Sequence, residues 1–478
     1  MKLWNAVPAK KWGCGLAGVL LCAGACLVPP PPDLAACALA AGSDGAAAMR
    51  ILGITLLAIL WWAGEVVPDW LATIAMLLLW VLMGGLTFQG AFASFAGSSV
   101  WLIVGAFCLA AGITKTGFFR RISWFLIRLF SPTFRGQVLA LLLVGTVCAP
   151  LVPSATAKAV LGATIANNIA DAMGYGPNSK GRCGLFLASF IGFSATTPAF
   201  MSGSIFTYTL LGALPEATRA GVDWTSWFVA CIPWLAVLLV GFFLAIQVMF
   251  RPDRAAALSP AYVDEQYRSL GPMRGKETLS AVLLALSVLL WILESRLGVS
   301  AAVTALGAAF FCFASGILDA KELSTAVPWG LVIFLGGVLN LGNVLSAVGI
   351  DLWLQTLLSP LFSGITGPAL IVAAIAVLVV ALRLILVSQS ATVIVVIATL
   401  APATAALGLS PFLVGFITLA AEQCWFLSYQ NVVFVPALSC MEGTVRHRET
   451  VPACWVFEAV SLVGCLVSIP YWRLLGYL

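Results

Sequence analysis

The strongest constraint on this chain is the recurrence of apolar runs long enough to cross a lipid bilayer. From Trp12 to Trp472, stretches nearly free of charge follow one another with short polar breaks. A run of roughly 17–25 apolar residues is what the hydrocarbon core asks of a helix. Charged residues make up 9% of the 478 and hydrophobic residues 62%, whereas a soluble domain carries about 25% charged side chains. Lipid offers no partner to backbone N–H and C=O groups, and apolar runs of this length satisfy them as helices. The fold expected is an all-α polytopic membrane protein of about eleven spans, with shorter re-entrant pieces.

The net charge of +5 comes from clustered Lys and Arg that read as topology signals, and no nucleic-acid partner is implied. Most of the thirteen cysteines lie singly in apolar runs, as Cys108, Cys148, Cys231, Cys312 and Cys465 do, where Cys acts as a small hydrophobe. With His447 the lone histidine, placed in a polar loop, a zinc or haem site is not expected. Lys2, Lys10 and Lys11 before an apolar run to Val28, with Leu21-Cys22-Ala23-Gly24-Ala25-Cys26 inside it, imitate a signal peptide. A retained first span is the expectation.

The chain repeats itself. Trp62-x-x-Glu65 recurs as Trp291-x-x-Glu294, Trp101 as Trp329, Ser131-Pro132 as Ser359-Pro360 and Gly136 as Gly364, each displaced by 228 or 229 positions. Ser154-Ala155-Thr156 recurs as Ser390-Ala391-Thr392, displaced by 236. The common order sets the boundaries: an N-terminal span and loop (1–48), a first repeat (49–250), a linker (251–276) and a second repeat (277–478). Lys115, Arg120, Arg121, Arg128 and Arg135 follow Trp101, while the matching stretch 343–364 has no Lys or Arg. Basic loops mark the cytoplasm, and the linker with Arg251, Arg254, Arg268, Arg274 and Lys276 belongs on that side. The two repeats therefore run through the membrane in opposite senses, the arrangement of many secondary transporters, whose site lies near the midplane where broken helices meet.

That logic locates the chemistry. After Pro153 a helix can start afresh, with Ser154 near its N-cap and free amide N–H groups beside two hydroxyls, an arrangement suited to an anion. Ser390-Ala391-Thr392 repeats it, and the central Ala155 and Ala391 let backbone approach a ligand. Ser and Thr also bond back to the preceding turn or let helices pack closely; two repeat-related copies favour the binding role. Each half has a second uncharged segment that looks broken: Phe193-Ser194-Ala195-Thr196-Thr197-Pro198 leading to Ser202-Gly203-Ser204, and Ser428-Tyr429-Gln430-Asn431. Irregular backbone at this depth lines protein or a watery cavity. Gln430 or Asn431 is expected to touch the ligand, the alternative being an interhelical hydrogen bond, and Tyr429 is equally suited to an interfacial anchor.

Gly105, Gly112 and Gly117, and then Gly336, Gly337, Gly342 and Gly349, mark runs that could turn back as hairpins ahead of the motifs. Arg383 is the only ionisable side chain between Leu352 and Ala421. Seven residues before Ser390, it sits about two helical turns away and could neutralise an anion or snorkel to a surface. Lys158 lies closer to its motif and has the same two readings. Glu65 and Glu294, at span ends, are expected to be structural.

These residues resemble the divalent anion/sodium symporters, the dicarboxylate and sulfate transporter family. The likeness rests on Val28-Pro29-Pro30-Pro31-Pro32, Trp62-x-x-Glu65-Val66-Val67-Pro68, Trp101-Leu102-Ile103-Val104-Gly105-Ala106-Phe107 through Lys115-Thr116-Gly117, Pro153-Ser154-Ala155-Thr156-Ala157-Lys158, Leu270-Gly271-Pro272-Met273 and Ser390-Ala391-Thr392. It implies a homodimer whose protomers each hold a scaffold and a transport domain, working by an elevator motion. The family signature is Ser-Asn-Thr in both repeats, with the Asn amides, hydroxyls and backbone carbonyls serving carboxylates and sodium. Here Ala155 and Ala391 replace both asparagines, and Pro150 and Leu386 stand where sodium-coupled members carry a hydroxyl. Sodium remains the one cofactor the resemblance implies, with Ser154 and Ser390 as its candidate ligands.

The resulting expectation is a secondary transporter of di- or tricarboxylates in the cytoplasmic membrane, with sodium symport open. The alternatives are sodium-independent carboxylate exchange and sulfate or sulfonate transport. Ser154, Ala155, Thr156, Ser390, Ala391, Thr392, Gln430 and Asn431 form its candidate substrate site, and the anion and the bilayer are its partners. An intramembrane enzyme would need a buried nucleophile with its base, or metal ligands, and the sequence supplies neither. A passive channel would lack the pair of occluding sites.

Overall fold

The computed structural model describes residues 9–252, 257–362, 367–386, 388–405 and 407–478. Lys2, Arg254 and Gly364, named above, lie outside them. The described chain is helical: α1 (Ala9–Leu27), α2 (Pro32–Ala40), α3 (Gly45–Gly64), α4 (Asp69–Leu82), α5 (Ser98–Thr116), α6 (Phe118–Ile127), α7 (Phe134–Cys148), α8 (Ala155–Ala172), α9 (Lys180–Phe190), α10 (Ile205–Ala213) and α11 (Trp224–Met249) in the first part. There follow α12 (Pro260–Ser269), α13 (Gly275–Ile292), α14 (Ala301–Ala314), α15 (Trp329–Val338), α16 (Leu341–Ala347), α17 (Ile350–Phe362), α18 (Pro368–Arg383), α19 (Gln389–Ala405), α20 (Pro411–Ala421), α21 (Phe434–Ser439) and α22 (His447–Leu474), shorter turns aside. Among the described residues seven helices are long and apolar enough to cross a membrane, or eight if α1 and α2, bent by 75°, count as one span. Five further apolar helices, α4, α14, α18, α19 and α20, are shorter. The single histidine opens α22 instead of sitting in a loop, with Nε2 2.9 Å from Trp425 O.

Matching helices run in opposite directions. Lys115 Nζ, at the end of α5, lies 2.7 Å from both carboxylate oxygens of Glu322, just before α15 begins. Arg121 of α6 binds the carboxylate of Glu277 at the start of α13 and donates to Gly271 O (2.9 Å) and Leu270 O (3.2 Å) of the linker. The basic stretch, the linker and the entry to α15 thus share one face, called the basic face below. Trp101 starts a helix running toward that face and Trp329 one running away from it. The packing repeats as well. A Cβ at Gly105 of α5 would strike the backbone of Ala305 in α14, at 2.6 Å, and one at Gly337 of α15 would meet Thr73 of α4, at 2.1 Å. The two landmark tryptophans play the same part, since Trp62 Nε1 donates to Asp69 O and Trp291 Nε1 to Ala301 O, each at 3.2 Å and each to the first residue of the next helix. Glu294 accepts from Ala301 N at 2.8 Å, a structural role as expected.

The glycine hairpins are corrected. Gly105 and Gly112 lie inside the continuous helix α5, and Gly117 (φ 81°) ends it in the left-handed region that glycine tolerates. Gly336 and Gly337 pack against Phe95 and Thr73. Their absent side chains admit close neighbours, and the chain breaks at the Ser-Ala-Thr motifs instead. There α7 passes through a short 3₁₀ turn (Ala149–Leu151) before α8 starts, and α18 ends at Arg383 before α19 starts.

Candidate functional site

In the first motif Ser154 is the N-cap of α8, its Oγ accepting from Ala157 N at 3.3 Å, which satisfies one of the unpaired amides of the new helix. Ala155 is buried and Thr156 half-buried. The second motif is shifted in its cap. Ser388 takes the capping role, with Oγ accepting from Ala391 N at 3.2 Å, so Ser390 falls in the first turn. The physical reason is the extra hydroxyl: Ser388 competes for the free amides two residues earlier. Ala391 and Thr392 are fully buried, and Thr392 Oγ1 donates to Ser388 O at 3.0 Å.

Two cavities open beside the motifs. Ser154 lines one of about 480 Å³ together with Lys115, Glu322 and Pro328. Ser390 lines another of about 620 Å³ with Ser388, Gln389, Ile205, Lys11 and Glu65. Pro328 borders the first and Leu331 the second, so both cavities lie beside the start of α15. Gln389 was not anticipated. Its side chain is buried, yet neither amide atom has a hydrogen-bond partner among the described residues, and it lies on the cavity of Ser390. A buried amide left unpaired costs about 1–3 kcal/mol, so such a group is a natural place for a ligand to bind. The signal was present in the sequence, since Gln389 is the only Gln or Asn between Gln355 and Gln423.

Behind the motifs lie the broken segments. The first is a π-helical turn, Ile191–Ala195, then a 3₁₀ turn and a fresh start at Ser204, which forms a capping box with Thr207. It is stapled to the first motif: Ser202 Oγ donates to Pro150 O at 2.9 Å, and the fully buried Lys158 donates from Nζ to Ala149 O and to Gly203 O (2.6 Å). In the second half the fully buried Arg383 donates to Leu386 O (2.7 Å) and Gln430 O, and lies 3.5 Å from Thr392 Oγ1. Of the two readings left open for each basic residue, snorkelling is excluded. Gln430 accepts from Leu427 N at 2.8 Å and donates to Arg383 O at 3.2 Å. Asn431 Oδ1 caps α21, accepting from Val433 N and Phe434 N at 3.0 Å, and its Nδ2 donates to Gln423 O. Both amides are thus engaged with backbone here. Tyr429, half exposed, donates to Leu384 O. Glu422, at the end of α20, is fully buried, and its carboxylate has no hydrogen-bond partner among the described residues. Phe190, Trp425 and Phe434 pack the two broken segments together, with ring centroids 4.8–5.4 Å apart.

An all-helical polytopic membrane protein with paired broken helices has the build of a membrane transporter. The chain belongs to the family described as the sodium:sulfate symporter transmembrane region, whose model matches residues 35–478. It is 28% identical over 285 residues to dicarboxylate transporter 1, chloroplastic, of Arabidopsis thaliana, covering 57% of this chain and 50% of that one. It is 27% identical over 326 residues to the putative malate transporter YflS of Bacillus subtilis (66% and 68%), and 24% identical over 295 residues to the L-tartrate/succinate antiporter of Escherichia coli (60% of each). The matched stretch spans about half the length of the chloroplast relatives. In fold it is similar to the YdaH transporter of Alcanivorax borkumensis (TM-score 0.56, 14% identity, 81% of this chain and 88% of that one) and to MtrF of Neisseria gonorrhoeae (0.52, 14%, 97% and 95%).

The sodium in the family's description can be tested against these residues. Such carriers hold the ion with unwound backbone carbonyls at broken helices. Here the carbonyls of Ala149 and Gly203 are bound to Lys158, and those of Leu386 and Gln430 to Arg383. The described residues hold no group of three or more His, Cys, Asp or Glu suited to a metal. The residues present do not fit a sodium ion at these positions.

Proposed function

We propose that this chain is a secondary transporter of small divalent organic anions, di- or tricarboxylates, in the cytoplasmic membrane, working as a homodimer by an elevator-type alternation of access between two inverted repeats. The observation that carries the reading is the cavity beside Ser390, where the unpaired amide of Gln389 and the Ser388 and Ser390 hydroxyls converge at a broken helix. An amide N–H and a hydroxyl are the neutral donors a carboxylate needs, and Gln389 offers the kind of group that Ala391 lacks. Ser154 and Thr156 would serve the other end of the anion, with Gln430 and Asn431 holding the broken segment in place. The names of the relatives, which carry dicarboxylate, malate and tartrate/succinate, support the substrate class. Both cavities are bordered by residues of the basic face, Lys115 and Glu322 in one case and Leu331 near the start of α15 in the other, which corresponds to a state open to the cytoplasm.

The test is uptake of labelled succinate, malate, citrate, tartrate and sulfate by proteoliposomes loaded with unlabelled anion. Saturable exchange of the carboxylates supports the reading. Uptake of sulfate alone, the anion in the family's description, replaces it with inorganic oxyanion transport.

A further inference from the structure

We propose that the Lys158 ammonium and the Arg383 guanidinium are built-in cations standing where a coupling ion would bind, so that transport by this chain is independent of sodium. The inference rests on the reading of the chain as an anion carrier, and it follows from a pairing that the repeat shows twice. In the first half, a fully buried basic side chain joins a carbonyl of the break before the motif, Ala149 O, to a carbonyl of the downstream broken segment, Gly203 O. In the second half, another joins Leu386 O, in the break before the motif, to Gln430 O in the downstream segment. The two residues occupy different positions relative to their motifs, Lys158 four after Ser154 and Arg383 seven before Ser390. Different side chains have thus reached the same kind of place from opposite sides of the break.

Carbonyl oxygens from two broken segments, converging in a buried space, are what an alkali cation requires. Here each of these carbonyls already accepts from a fixed positive charge, which engages one of its two lone pairs. A second cation would then meet a unit charge at contact distance in a medium of low dielectric, where like charges repel strongly. The side chains point the same way. Ala155 and Ala391 carry no oxygen, nor do Pro150 and Leu386. Charged groups are costly at this depth unless paired, and both cations donate to backbone carbonyls. A cation tethered to the chain cannot be released on the far side, so it cannot draw on its own gradient. The driving force falls to the anion, and the carrier exchanges one for another.

The test has two arms. The full chain, purified in detergent, is unfolded thermally in sodium chloride and in choline chloride at equal ionic strength. Equal melting temperatures are expected, and a sodium-specific rise overturns the proposal whatever the substrate proves to be. In proteoliposomes preloaded with malate, exchange of labelled malate is expected to be equal with sodium or choline outside, and stimulation by sodium also overturns it. Absence of carboxylate exchange in both media defeats the proposed function instead, leaving the melting arm to decide this inference. Lys158→Ser is expected to cut exchange in choline more than tenfold and to acquire a sodium-specific rise in melting temperature, whereas Lys158→Arg keeps exchange in choline. Lys158→Ser exchanging in choline as fast as the parent overturns the assignment. Should that variant not fold, the two measurements on the parent chain still settle the matter.

Discussion

Arg383 and Gln430 hold one another reciprocally: the guanidinium of Arg383 donates to the main-chain oxygen of Gln430, and Nε2 of Gln430 donates to the main-chain oxygen of Arg383. This closes the end of α18 onto the broken segment that follows α20. Gln430→Ala removes the side-chain half of the clasp and leaves Leu427 N without its acceptor. With about 1 kcal/mol for each lost bond and about 1–3 kcal/mol for a buried group left unpaired, a loss of about 2–4 kcal/mol is expected. Thermal unfolding in detergent without substrate measures it. An unchanged melting temperature would show that the clasp does not hold the fold.

Gln389 predicts the opposite pattern. Its amide has no partner among the described residues, so Gln389→Leu keeps the bulk, removes an unpaired polar group and should leave stability equal or higher. Substrate should bind about tenfold more weakly, equivalent to about 1.4 kcal/mol. A KM unchanged beside unchanged stability would remove Gln389 from the site.

Backbone contact, not side-chain packing, sets the approach of α7 to the π-helical turn. A Cβ on Gly192 would lie 2.3 Å from Leu141 O, and one on Gly145 would lie 2.3 Å from the carbonyl carbon of Gly192. Backbone cannot swing aside as a side chain can, so Gly192→Ala is expected to cost more than about 2 kcal/mol, in the upper range for overpacking. Gly24→Ala, with nothing within 4 Å of the added methyl, is the control and should be neutral or slightly stabilising. Expression yield and melting temperature of the two variants check the contrast.

Lys115 and Glu322 border the cavity of Ser154. The hydrogen bond from Lys115, first, and that from the Asp319 backbone, next, hold the Glu322 carboxyl below its usual range. A carboxyl with a depressed folded value contributes fully above the ordinary carboxylate range and loses its contribution as pH falls through the folded value. The pair should therefore survive from neutrality to about pH 5, where a free carboxylate is still largely ionised. Charge at the mouth should steer an anion, and Lys115→Gln should lower the rate of substrate capture more at low salt than at high salt. A salt dependence identical to that of the parent would show that the residue has no steering role.

Much of this architecture was legible because it is written in scarce residues. Trp62 and Trp291 were legible through their common spacing to Glu65 and Glu294, and both bind the first residue of the next helix. Basic residues are rare enough that Lys115 and Arg121 marked the face they occupy. Glycine was less readable: in an apolar run it signals a turn or a close contact, and Gly105 meets Ala305, a neighbour two hundred residues away. Lys158 and Arg383 were found, but not their partners, since Gly203 and Gln430 are more than forty residues distant and accept from them through backbone oxygens. Main-chain acceptors leave no trace in side-chain identity. The same holds for the cap of α19, where Ser388 displaced Ser390 by a local competition that the tripeptide match concealed.

The two threonines of the motifs separate binding from stability. Thr392 is fully buried, its hydroxyl donating to Ser388 O at 3.0 Å with Arg383 Nη1 at 3.5 Å. Thr156 is half-buried at the start of α8, the helix whose cap borders the cavity of Ser154. Valine matches threonine in shape and lacks its hydroxyl, so the substitution isolates the hydrogen bonds. Thr392→Val should cost about 1–2 kcal/mol of stability, because Arg383 loses an acceptor within the protein. Thr156→Val should leave melting unchanged and weaken carboxylate binding several-fold, because the partner it would lose is the ligand. Competition of unlabelled succinate against labelled substrate, run beside melting curves for both variants, measures the two quantities together. If Thr156→Val lowers the melting temperature while affinity stays put, its hydroxyl belongs to the fold and the anion must be held by Ser390 and Gln389 without it.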